Sequence, residues 1–155
     1  MAADELSAAS ASAIEPVARD VRAFLEPHWQ AWHVEWGPPA PVTASQWTCG
    51  RSSAFLCFAL NNAGIPAQVQ SGRPSTDRGG FGFHAADQWQ DHAWVVAGEW
   101  IVDITNDQFG ALGAVITPIS DARYRSGLDA GTQLALSSKG AQAVERLTEL
   151  WIRAA

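Results

Sequence analysis

Apolar positions follow a helical period at both ends of the chain and a period of two in its middle. From Pro16, a residue suited to a first helical turn, Val17, Val21, Phe24 and Leu25 recur at helical spacing. Pro27 is expected to end or kink this helix. Trp29, Trp32 and Trp36 continue its face as a further short helix, before Gly37-Pro38-Pro39-Ala40-Pro41 forces an extended connection. A second helical pattern holds Cys49, Phe55, Leu56, Phe58, Ala59 and Leu60. Ser45 stands where an N-cap would, and Gly64 with Pro66 supplies the stop, so Cys49 is expected in the first helical turn. The period then changes. Ala67–Ser71 alternates as a strand does, and His92–Asp103 carries β-branched and aromatic residues on both sides of Ala97-Gly98, which predicts a hairpin with a two-residue turn. In that register Val96 faces Glu99, Trp94 faces Ile101 and His92 faces Asp103. Ala114–Ile119 reads as another strand, which Pro118 confines to an edge or to its own end. Ala143, Val144, Leu147, Leu150 and Trp151 return to helical spacing, with Arg146 and Arg153 toward the favourable C-terminal end. This predicts an amphipathic helix covering the sheet.

The remaining segments are polar or irregular. Residues 1–12 have no apolar period and read as a flexible arm, leaving residues 13–155 as a single domain. The segment Gly72–Gln90 is rich in Gly, Pro, Asp and Gln and reads as a long loop, Thr105–Gly110 as a turn, while 120–139 follows neither period. Helices flanking an antiparallel sheet define an α+β fold.

Composition narrows the classes of partner. The net charge is −6 and the ten Lys and Arg residues are scattered, which argues against nucleic acid or an anionic membrane surface as partner. No apolar run approaches a membrane span, and Asp4 and Glu5 stand where a signal peptide would carry basic residues, so a cytoplasmic protein is expected. Cys49 and Cys57 lie eight residues apart on one expected helix, a rise of about 12 Å, too far for a disulfide. Two free thiols suit a reducing compartment. Eight tryptophans are many for this length and fit a core or a substrate groove equally.

Cys49 and the hairpin carry the candidate chemistry. Directly opposed residues in an antiparallel pair are close enough for Asp103 to accept the Nδ1 proton of His92, an arrangement found in catalytic triads and in structural His-Asp pairs alike. Cysteine attacks as the thiolate, which a helix N-terminus and a neighbouring imidazolium both favour. Cys49, set among Gln46, Thr48, Gly50 and Arg51, suits that role. Cys57, between Leu56 and Phe58, reads as an inert core thiol.

The pieces also stand in a familiar order. Thr48-Cys-Gly-Arg-Ser-Ser53 opens a helix that runs to Ala63-Gly-Ile-Pro-Ala67; a strand into Ser71-Gly72, the His92-Ala-Trp-Val95 strand and Ile101-Val-Asp-Ile-Thr105 follow. Over roughly residues 45–110 the chain resembles the transglutaminase-like branch of the papain-like cysteine peptidase superfamily. It is similar there to the leader peptidases of lasso-peptide biosynthesis and to uncharacterised bacterial relatives. The resemblance implies a papain/transglutaminase-like core with the nucleophile helix packed on an antiparallel sheet and helices flanking it at both ends. It implies Cys49 as nucleophile, His92 as general base and acid, and Asp103 as the residue that orients His92. Asp107-Gln-Phe109 resembles a segment found after the Asp in those relatives, with no assigned role. One departure concerns the oxyanion: papain-like peptidases carry a glutamine about six residues before the cysteine, whereas the nearest here is Gln46, three before. The Cys49 backbone N–H is one candidate donor, and Gln46, Trp47 and Gln108 are candidates for the second.

The implied activity is cleavage or transfer of an amide acyl group of a peptide or protein substrate through an acyl-enzyme, without a cofactor. Water as acceptor gives a peptidase, amidase or glutamine deamidase, and an amine gives a transferase. Two further readings stay open: a non-catalytic peptide-binding module of the same fold, and a metal site built from Cys49, His84, His92 and Asp103. The latter lacks the short spacings that mark zinc sites. His28 and His33 read as helix-surface residues.

Overall fold

The computed structural model describes residues 10–37, 39–74, 80–111, 113–127 and 136–154. Helix α1 spans Ala11–Trp36, with Ser10 as N-cap accepting from the Ala13 N–H. Ser10–Ser12 therefore belong to the helix rather than to the arm expected over residues 1–12; residues 1–9 of that arm lie outside the described residues. Pro27 does not end α1. Ile14, Ala18, Val21, Leu25, Trp29 and Trp32 form one continuous buried stripe on both sides of it, and their burial outweighs the hydrogen bond that a proline removes. Pro27→Ala should restore that bond and raise stability by about 1–2 kcal/mol, read as a higher midpoint in urea at unchanged slope.

Helix α2, Cys49–Asn62, begins at the cysteine itself. It stops as expected: Gly64 adopts φ +82°, Ile65 N–H donates to Leu60 O and Gly64 N–H to Asn61 O, which together close a Schellman motif. Seven strands follow, β1 Gln68–Gly72, β2 Gly82–Ala85, β3 Gln88–Gln90, β4 His92–Ala97, β5 Trp100–Asp103, β6 Val115–Pro118 and β7 Tyr124–Arg125, and helix α3, Ser138–Ala154, ends the chain. β1-β4-β5-β6 form a four-stranded antiparallel sheet, with Pro118 closing the edge strand β6. β3-β2-β7 form a second, three-stranded antiparallel sheet. The architecture is α+β, with three helices and two antiparallel sheets among the described residues.

The second sheet corrects the reading of Gly72–Gln90 as a loop. Ala86 and Asp87 take φ of +52° and +61°, the signature of a type I′ turn, and so join β2 to β3 as a hairpin. Residues 75–79 of that segment, like 128–135 of the irregular 120–139 stretch, lie outside the described residues. The two sheets meet where β1 ends: a Cβ on Gly72 would come within 2.2 Å of Gly82 N, so only glycine lets the backbones approach this closely.

β4 is consequently buried on both faces. Val95 and Ala97, with Val102 and Ile104, face the helices and the main core; Trp94 and Ile101 face Phe83 and Tyr124 of the second sheet. α3 packs on α2 rather than over the sheet as expected. Its Trp151 meets Phe24 and Phe55 edge-on at centroid distances of 5.2 and 5.5 Å, tying the three helices together. No described helix is long and apolar enough to cross a membrane.

Candidate active site

The β4-β5 turn is centred one residue later than the apolar pattern predicts. Ala97 pairs with Trp100 and Val96 with Ile101, so the loop is Gly98-Glu99, with Gly98 at φ +60° in the first loop position, where a II′ turn places its glycine. The shift moves every cross-strand pair by two residues, which keeps the faces and changes the partners. His92 and Asp103 become diagonal neighbours on one face instead of directly opposed. The reach suffices: His92 Nε2 donates to Asp103 Oδ2 at 2.7 Å, both side chains being fully buried. The ring nitrogen used is Nε2 and not the expected Nδ1.

Asp103 is saturated with donors. Oδ2 also accepts from Asn106 Nδ2 at 2.9 Å and from the Tyr124 hydroxyl at 2.8 Å, while Oδ1 accepts from the Thr105 N–H at 3.1 Å. Burial alone would push this carboxyl up. The charge of His92 and the hydrogen bonds from His92, Asn106 and Tyr124 more than reverse that and hold it below its ordinary value. For His92 burial pulls the other way, and the charge and hydrogen bond of Asp103, reinforced by Cys49, carry the imidazole up to about 9. His92 is therefore an imidazolium at neutral pH. Aromatic rings wall it off from water: Phe109 lies 4.9 Å, Phe83 5.9 Å and Trp94 6.1 Å away between centroids. Tyr124, buried and beside the Asp103 charge, is held far above the usual phenol range.

The Nδ1 atom of His92 is buried and makes no hydrogen bond. Cys49 is among the groups that raise this imidazole, which puts the thiol in the neighbourhood of the ring. A polar chain sets Cys49 there. Ser45, expected as the helix N-cap, instead leads a turn four residues earlier and donates to Asp107 Oδ1 and to Thr105 O. Thr48 occupies the cap position, but its hydroxyl donates to Ser45 O at 2.7 Å and caps nothing; the Ser52 hydroxyl donates to Thr48 and Trp29 Nε1 to Ser52. The first N–H groups of α2 are left without a side-chain cap where Cys49 stands. Trp47, just before, is 68% exposed and held at φ +63°, a conformation rare for a bulky residue.

A second tie crosses to α1. Arg22 donates to Ile104 O at 2.6 Å and to Asp107 Oδ2 at 3.0 Å, while Asp107 also holds Ser45. The loop before the cysteine and the loop after the aspartate are thereby fastened to each other and to α1. This gives structural roles to Asp107 and, through its ring on His92, to Phe109.

Among the expected oxyanion donors, the Gln46 side-chain oxygen accepts from Val42 N–H and Gln108 Nε2 donates to Thr105 O, so each amide is anchored in its own loop with donor capacity to spare. Cys57 is half-buried, donates its thiol to Ala67 O at 3.3 Å, and burial pushes its pKa up. His33, expected on the surface, is buried and donates from Nε2 to Ala44 O at 2.7 Å. His84 stacks edge-on against Trp89 in the second sheet. No group of three His, Cys, Asp or Glu side chains is placed to hold a metal ion among the described residues. Sequence reasoning missed Tyr124, Asn106, Ser45 and Arg22. Only Asn106 carried a local signal, as a polar residue three positions after Asp103. In comparisons with protein families, curated proteins and solved structures, nothing matches this chain.

Proposed function

We propose that the protein is a cysteine-nucleophile enzyme that cleaves or transfers an amide acyl group of a peptide or protein substrate through Cys49, His92 and Asp103. The observation that carries this reading is the asymmetry of His92: Nε2 is tied to a saturated carboxylate, whereas Nδ1 is buried and unpartnered, and a cysteine that opens a helix without a side-chain cap is among the groups that raise the ring. Both ring nitrogens of His33, by contrast, face backbone carbonyl oxygens, at 3.4 and 2.7 Å.

With His92 charged, Nδ1 holds a proton for the leaving group, and cysteine attacks in the thiolate form. The sulfur attacks the substrate carbonyl, forming the S–C bond and an oxyanion. The Cys49 N–H at the start of α2 is the first donor for that oxyanion, with Gln46, Trp47 or Gln108 supplying the second. Collapse breaks the C–N bond as Nδ1 delivers its proton to the leaving amine. Neutral His92 then takes a proton from water, or from an acceptor amine, which attacks the thioester and releases Cys49 as thiolate. Asp103 stays ionised throughout and fixes the tautomer. Hydrolysis gives a peptidase, amidase or glutamine deamidase; an amine acceptor gives an acyltransferase.

Trapping the acyl-enzyme tests this. After brief mixing with p-nitrophenyl acetate and acid quench, peptide mapping should find the acetyl group on Cys49 and not on Cys57, and none on either in Cys49→Ala. Equal acetylation of both cysteines, or of neither, would sink the proposal and favour a non-catalytic peptide-binding module.

A further inference from the structure

A cavity of about 440 Å³ opens between the two sheets, within the size range of small-molecule sites. Its floor is apolar, formed by Val96 and Ile101 of the four-stranded sheet and by Ile119, which is 53% exposed. Its rim is polar and has unused hydrogen-bonding capacity: Gln70, Ser126 and Arg125 line it, and among the described residues none of their side chains makes a hydrogen bond or ion pair. The Arg125 guanidinium instead rests on the Phe81 ring, 5.2 Å from its centroid. Among the described residues no carboxylate lines the cavity, although the chain carries a net charge of −6.

An exposed guanidinium with no ion pair among the described residues, beside neutral amide and hydroxyl groups and above an apolar floor, is complementary to a carboxylate attached to an apolar side chain. We infer that this cavity binds an apolar carboxylate, either a free acid or the C-terminal residue of a peptide, with the carboxylate on Arg125 and the side chain over Val96, Ile101 and Ile119. One wall is Tyr124, whose hydroxyl donates to Asp103, so the occupant packs against a residue that positions the triad from behind. Cys49 is not among the lining residues, and the inference does not depend on the catalytic reading.

Binding is measured by two-dimensional ¹H–¹⁵N NMR, following the Gln70 side-chain amide and the Trp94 indole, with N-acetyl-leucine, N-acetyl-leucinamide and acetyl-glycyl-glycyl-leucine as probes. N-acetyl-leucine should shift both signals saturably, in wild type and in Cys49→Ala alike. Arg125→Gln, a change at an exposed position, should weaken binding about fivefold, as should replacing the carboxylate by the amide. A tripeptide that binds tighter than the single residue identifies a peptide terminus as the ligand, and equal affinity identifies a free acid. Absence of saturable shifts with all three probes overturns the inference, and so does binding indifferent to both the carboxylate and Arg125. If Cys49 fails to acylate while these shifts persist, the catalytic reading falls and the pocket stands.

Discussion

Asp103→Ala should cost about 3–5 kcal/mol of folding stability near pH 6, lowering the melting temperature by roughly 10 °C. The substitution strips a buried imidazolium of its counter-charge and leaves Asn106, Tyr124 and Thr105 donors without an acceptor. The pH dependence separates this cause from a simple cavity. His92 rises from 6.5 to about 9 on folding, so its contribution is complete below the unfolded value and is lost as pH climbs from 6.5 through about 9. Asp103 is lowered on folding; its contribution is present above the ordinary carboxylate range and disappears as pH falls through it. The pair therefore stabilises most strongly between about pH 4.5 and 6.5. Thermal melts from pH 4 to 10 should show the deficit of the alanine variant largest near pH 6, shrinking from about pH 6.5 and levelling off above about pH 9. A deficit constant across that range would mean that packing, not charge, is what Asp103 supplies.

His92→Ala should slow alkylation of Cys49 by iodoacetamide at pH 6 by on the order of 100-fold, because a thiol without a cationic partner is only about 0.3% thiolate there. The difference between the two proteins should narrow toward pH 9, where a thiol ionises without a cationic partner. Cys57 serves as the internal control: half-buried and with its pKa raised, it should label slowly in both proteins. Peptide mapping over a time course checks this, and equal rates at Cys49 with and without the imidazole would remove His92 from the chemistry.

The parts of this arrangement that were legible in the sequence are those set by neighbours along the chain. α2 announced its end through Gly64 and Pro66, and the β4-β5 hairpin announced itself through its β-branched and aromatic arms. The face shared by His92 and Asp103 survived an error in the turn because moving a turn by one residue shifts pairs by two. The end of α1 was misread because local propensity at Pro27 was outvoted by a stripe of buried side chains that only the folded helix assembles. Tyr124 was illegible for a different reason. It belongs to a two-residue strand whose partner, Phe83, lies in a segment that reads as loop, and neither has a periodicity to detect until they pair. The donors that saturate Asp103 are likewise gathered from both sheets and the turn after β5, and no local pattern records that convergence.

The clasp formed by Arg22, Asp107 and Ser45 ties the N-terminal helix to the loops that precede Cys49 and follow Asp103. Under the proposed function α1 would be a silent determinant of reactivity, contributing no reacting group of its own. Natural variation at position 22 or 107 would then alter turnover while leaving Cys49, His92 and Asp103 intact, and a survey confined to those three positions would misattribute the change.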